Sequence, residues 1–220
     1  MLDDILAAIL VLAVPAYSLW RSIARRNLPP EPRLRTYFRG IGLAWMLSGL
    51  LATDWWMSGR SLASLGFDYP LSRAGLIGLA VAAVVISGGG FMVLSARSKP
   101  SSQLDDPATA MFPQTPTEER LFLVMVIVLG VAWEALYRGF LLYVLPARIG
   151  LPASVVVAAI AYGLAHGYKS VPQLSGSLVA AFLFTMGFAL TGSLWWQIAL
   201  HIGLPVIGLI AQRKQLESQP

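Results

Sequence analysis

The chain of 220 residues contains no cysteine, which excludes disulfide staples, thiolate nucleophiles and any metal held by sulfur ligands. It is also poor in charge. Only 12% of its residues are Asp, Glu, Lys or Arg, against about 25% in ordinary soluble domains, while 56% are hydrophobic. A soluble domain with a charged shell is thereby excluded, and an all-α, polytopic membrane bundle is expected. Histidine occurs only twice, at His166 and His201. The His-Glu-x-x-His signature of a zinc-bearing helix is absent. A cleavable leader is not expected either, because the first apolar stretch opens with Asp3 and Asp4 where a signal carries Lys or Arg. No small-residue cleavage site precedes "RSIARR", so this stretch reads as a retained span. No internal repeat is present.

Several apolar stretches approach or exceed the ~18 residues needed to cross a bilayer. Seven are expected, over 2–20, 40–53, 74–96, 120–145, 152–168, 175–190 and 194–211, the second and sixth being short. Lys and Arg orient them. Arg21, Arg25, Arg26, Arg33, Arg35 and Arg39 crowd the first loop, which the positive-inside rule assigns to the cytoplasm. Carried through seven spans, twelve basic residues fall on that side and three (Arg60, Arg73 and Arg148) on the other. The N-terminus is then outside and the C-terminus cytoplasmic. The net charge of +5 is accordingly a signal of topology and of contact with membrane lipids, and no nucleic-acid partner is expected.

Along the chain, residues 1–97 read as a block of about three spans and 98–117 as a Pro- and Ser-rich linker. Residues 118–212 read as a core of about four spans, and 213–220 as a cytoplasmic tail. In "TPTEER", Thr117 is the expected N-cap, with Glu118 and Glu119 in the first turn where the helix dipole favours acids. The tryptophan pairs of "TDWWMSGR" and "GSLWWQ" read as interfacial belts. "ISGGGF" in the third span reads as a packing notch or a local break.

The run "VAWEALYRGFLL" places Glu134 and Arg138 four residues apart, on one helical face and within pairing reach. An unpaired charge there would cost roughly 2.5–3.5 kcal/mol on insertion scales. Past the linker, Glu134 is the only acid inside a span, and both histidines also fall in spans. Three spans thus each deliver one proton-active group to membrane depth, where such groups tend to face the bundle interior. Tyr162 precedes His166 by four residues, on the same face. Pro205 follows His201 by four and removes the amide that would bond the His201 carbonyl. A glutamate and two histidines can activate a water and stabilise an oxyanion, or hold zinc as a His₂Glu set; the spacing separates neither case.

At these residues the chain resembles the CPBP family of intramembrane proteases, which includes the CAAX prenyl endopeptidases and bacteriocin-related homologues. The family's motifs are Glu-Glu-x-x-x-Arg, Phe-x-x-x-His and His-x-x-x-Asn/Asp on successive helices. "WEALYR" supplies Glu134 and Arg138, "YGLAH" supplies Tyr162 and His166, and "LHIGLP" supplies His201. "RSLASLGF" before the third span also looks like a family segment. The resemblance implies a multi-pass protein of a bacterial cytoplasmic membrane that hydrolyses a peptide or membrane-protein substrate, prenylated substrates included. Glu134, His166 and His201 would be catalytic, and Arg138, Tyr162, Trp133 and Pro205 supporting. Trp133 stands where the family has its first glutamate, and Pro205 where Asn or Asp would stand. Two readings follow: a divergent endopeptidase, or a relative that binds substrate or partner without cutting, its cavity partly filled by Trp133. A small transporter is a third class. No cofactor is expected, because using Glu134, His166 and His201 together on zinc would leave no separate general base.

Overall fold

The computed structural model describes residues 2–96 and 111–217. Among these residues there are seven helices and no strand: α1 (Leu2–Ala24), α2 (Arg33–Met57), α3 (Arg73–Ser95), α4 (Pro116–Ile149), α5 (Leu151–Ala165), α6 (Val171–Thr191) and α7 (Trp195–Glu217). Five of them, α1, α3, α4, α6 and α7, are long and apolar enough to cross a membrane. The chain is thus a multi-pass membrane protein. Helix α2 extends past its apolar centre because arginines, good helix formers, continue it towards Arg33. Helix α5 has only 15 residues, about 22 Å at 1.5 Å per residue. It ends well short of a hydrocarbon core of ~30 Å.

Helix α4 is central, and half of its most apolar stretch is buried. The N-terminal helices pack against later ones: α1 on α5, α2 on α4, and α3 on α7, while α5 also carries α6. Large side chains such as Ile77, Val84 and Phe91 on α3 stay exposed, as lipid-facing residues do in a solvent as apolar as themselves.

Most of the expected linker, 98–110, lies outside the described residues, but its exit is visible. The N-cap of α4 is Thr115 and not Thr117: Thr115 Oγ1 accepts from the Glu118 N–H at 3.2 Å, and Glu118 Oε2 reaches back to the Gln114 N–H at 2.8 Å. Pro116 decides this. Its fixed φ suits the first helical position, so the cap falls one residue before it. The "ISGGGF" stretch does not break α3, which is helical throughout; Gly89 is the notch, facing Ile207 of α7.

The tryptophan pairs are belts only in part. Trp56 is exposed, whereas Trp55 is buried, meets Tyr143 edge to face with centroids 4.7 Å apart, and donates from Nε1 to the Ser61 carbonyl at 2.9 Å. Neighbouring residues on a helix point about 100° apart, so one of each pair turns inward.

A π-helical turn, Ile9–Ala13, interrupts α1. Proline explains what it leaves open. The Val14 N–H bonds the Ile9 carbonyl, and Pro15 has no N–H to offer Leu10. The Leu10 carbonyl instead accepts from the hydroxyl of Tyr137 on α4, at 3.0 Å in the buried core. Tyr137→Phe is expected to leave that carbonyl without a donor and to lower stability by about 1–3 kcal/mol. Unfolding titrations in a fixed micelle check this.

Charged side chains fasten both ends of the bundle. At one end Arg60 bonds both carboxylate oxygens of Asp3, at 2.8 and 2.7 Å, and Asp54 at 3.3 Å, while Arg148 pairs with Asp4. At the other, Lys214 donates to the carbonyls of Val93, Leu94 and Ala96 at the C-terminus of α3. A cation there also meets the negative pole of the helix.

Candidate active site

The second π turn, Ala135–Phe140, follows Glu134 directly on α4. Such turns are frequent at functional sites. Within it, Gly139 lies so close to the short 3₁₀ turn Leu62–Leu65 that a Cβ would stand 2.5 Å from the Leu65 carbonyl oxygen. Only glycine lets that turn, part of "RSLASLGF", close onto α4. The same segment is held from α7, where the Leu194 N–H donates to the Gly66 carbonyl at 2.8 Å and Trp195 Nε1 to the Asp68 carbonyl at 3.0 Å.

A cavity of about 380 Å³ opens beside this turn, between α4, α5, α6 and α7. Glu134, Arg138, Tyr162, His166, His201 and Pro205 all line it, so three separate helices do bring their proton-active groups to one place, although the one that carries His166 is too short to span. Glu134 and Arg138 are 0% and 1% exposed. His201 is half-buried, and His166, at the C-terminal end of the short α5, is exposed at the mouth.

Glu134 Oε1 accepts twice: from Arg138 Nη1 at 3.2 Å and from His201 Nδ1 at 2.7 Å. Oε2 is buried and has no hydrogen-bond partner among the described residues. Since a carboxylate beside a guanidinium only accepts, His201 Nδ1 carries a proton, and in the neutral ring Nε2 is the atom left with a lone pair. His166 is set the same way, because its Nδ1 faces the Tyr162 carbonyl at 3.0 Å and a carbonyl cannot donate. The Tyr162 hydroxyl stands 3.4 and 3.5 Å from the two ring nitrogens of His201.

Arg138 owes its place to more than Glu134. Its guanidinium carbon lies 3.8 Å from the centroid of the Tyr162 ring and 5.7 Å from that of Phe184. Out of water, a cation over an aromatic face gains about 2 kcal/mol or more. The cavity thus offers three acceptors (Glu134 Oε2 and the two Nε2 atoms) beside one fixed cation. Donors on that wall are Arg138, whose Nε has no partner among the described residues, and the Tyr162 hydroxyl.

Trp133 does not line this cavity. Its ring lies tilted against Tyr137, centroids 5.8 Å apart, about 100° around the helix from Glu134. The expectation that it fills the space of a water is therefore not met, and the cavity is open. Sequence reasoning also missed the wall supplied by α6: Gly176, Ser177, Ala180, Ala181 and Phe184. Their spacing of four residues between small side chains was a readable sign of a close-approach face.

No group of three His, Cys, Asp or Glu placed to hold a metal ion occurs among the described residues.

Comparison with protein families matches residues 117–207 to the model described as Type II CAAX prenyl endopeptidase Rce1-like. Comparisons with curated proteins and with solved structures gave no match. The matched segment contains every residue of the Glu134, Arg138, Tyr162, His166 and His201 cluster. Residues 117–207 of this membrane protein thus match an Rce1-like type II CAAX prenyl endopeptidase domain, a likeness consistent with a CPBP family protease.

Proposed function

We propose that the protein is an intramembrane endopeptidase hydrolysing a peptide bond of a membrane-associated substrate, prenylated peptides included, with Glu134, His166 and His201 as its catalytic residues. One observation carries this reading: Glu134 keeps a buried oxygen without a partner among the described residues, in the wall of a cavity shared with two histidines. A water held on Glu134 Oε2 can pass its proton to a neighbouring Nε2, with Glu134 Oε1 fixing the tautomer of His201. Arg138 and the Tyr162 hydroxyl are then the donors for the oxyanion formed on the substrate carbonyl. The short α5 supports access by water, since His166 sits at the mouth. Supporting roles fall to Arg138, Tyr162 and Pro205. The excess of Lys and Arg in the loops supports an outside N-terminus and a cytoplasmic C-terminus.

A second reading, a relative that binds without cutting, is favoured by Pro205, which brings no polar group to the cavity wall. Purified protein incubated with prenylated and unprenylated peptides separates the two. Cleavage is expected to fall about 10²-fold or more in Glu134→Ala. Equal background cleavage in both proteins would remove the endopeptidase and leave the binding reading.

A further inference from the structure

A second cavity, of about 290 Å³, lies where α1 ends and α2 begins, apart from the first. Its walls are Tyr17, Trp20, Arg21, Arg25, Glu31 and Arg39. Glu31 Oε2 accepts from Arg21, from Arg39 Nη1 at 2.6 Å and from Thr36 Oγ1 at 3.2 Å. One carboxylate thus holds two guanidiniums side by side. The hydrogen bond from Arg21, helped by that from Arg39 and opposed by burial, keeps the Glu31 carboxyl down at about 2, so the clamp stays charged at any physiological pH. Three arginines against one carboxylate leave the cavity with two positive charges in excess. Arg25 is the least committed of the three: among the described residues its side chain reaches the Pro29 carbonyl, at 3.5 Å.

The other wall is aromatic. Tyr17 and Trp20 form a tilted pair with centroids 6.1 Å apart, and both are exposed on the last turns of a candidate span. Indole and phenol rings favour the headgroup level of a bilayer. Guanidinium forks favour phosphate oxygens, and basic pockets beside transmembrane helices take anionic headgroups.

We propose that this cavity binds a phosphate group, that of an anionic phospholipid, with Arg21, Arg25 and Arg39 on the phosphate oxygens and Tyr17 and Trp20 against the glycerol and upper chain. Glu31 is a positioning residue, fixing two of the three arginines before the ligand arrives.

The test uses full-length protein stripped of lipid in detergent. Retention of phosphatidylglycerol and of phosphatidylcholine is measured by native mass spectrometry, and inorganic phosphate is added separately in a thermal-shift series. The expected result is selective retention of phosphatidylglycerol, lowered about fivefold in Arg25→Gln, the change associated with one basic residue at a lipid surface. Trp20→Ala is expected to lower retention of both lipids. Arg120→Gln, an exposed arginine outside the cavity, is the control and is expected to change nothing. A saturable shift with inorganic phosphate that Arg25→Gln abolishes, without lipid selectivity, would assign the same phosphate site to a soluble ligand. Equal retention of the two lipids with no phosphate shift would overturn the proposal. So would a loss in Arg120→Gln as large as in Arg25→Gln, since a diffuse basic surface would then suffice. Arg25 is chosen because it carries no buried partner, so folding is preserved.

Discussion

Replacing His201 with glutamine is expected to lower kcat/KM for peptide hydrolysis by about 10²–10⁴-fold, the range for loss of a positioned proton acceptor. Glutamine is the informative choice. Its amide N–H can still donate to Glu134 Oε1, now reached by Nδ1 at 2.7 Å, while Arg138 keeps its own bond to the same oxygen. The buried charges therefore stay paired, and what disappears is the bare Nε2. Melting in detergent is expected to change by only a few degrees. In His201→Ala, added imidazole is expected to restore part of the lost rate, because the cavity then has room for a free ring. Activity of His201→Gln within threefold of the parent would show that the ring accepts no proton in the rate-limiting step.

The Glu134–Arg138 pair carries the largest expected effect on stability. Both side chains are essentially without solvent contact, so neither charge is screened once its partner is gone. Arg138→Met alone is expected to cost roughly 3–5 kcal/mol, the penalty of stranding a buried carboxylate. The double variant Glu134→Leu with Arg138→Met is expected to recover most of that loss, because replacing a whole buried pair by apolar side chains is often neutral. A double-mutant cycle in a fixed micelle measures the coupling directly. If the double variant were as unstable as the sum of the singles, the stacking of Arg138 on Tyr162 would be the larger contribution and the ion pair the smaller. Both variants are expected to be inactive, so here stability and not activity is the readout.

Much of the fold was legible because its signals are long and one-dimensional. Seven runs of apolar residues became seven helices, five of them long and apolar enough to cross a membrane. The cluster was legible for a related reason: a glutamate and two histidines are costly in lipid, so their presence in apolar runs announced a shared interior. What escaped depends on direction around a helix or on tertiary contact. Trp133 adjoins Glu134 in sequence yet faces Tyr137, and Trp55 turns into the core while Trp56 does not. Thr117 looked like a cap because the threonine nearest the acids draws attention, whereas the fixed φ of Pro116 moves the cap to Thr115. Phe184 could be assigned to the Arg138 guanidinium only once α6 was seen beside α4. The two π turns have no hydropathy signature, and Pro15 hints at one only in retrospect.

The matched segment, 117–207, does not complete its own interior. Tyr137 needs the Leu10 carbonyl, Gly139 needs the Leu65 turn, and the Gly167 bend after His166 rests on Ser18 and Ser22 of α1. Each of these struts reaches back into the first 66 residues. The N-terminal helices therefore cannot diverge freely from the core across evolution. Positions 15 and 137, 65 and 139, and 22 and 167 should change in concert among homologous chains, and a graft of residues 117–207 onto an unrelated set of helices would inherit the side chains of the Glu134 cluster without the contacts that aim them.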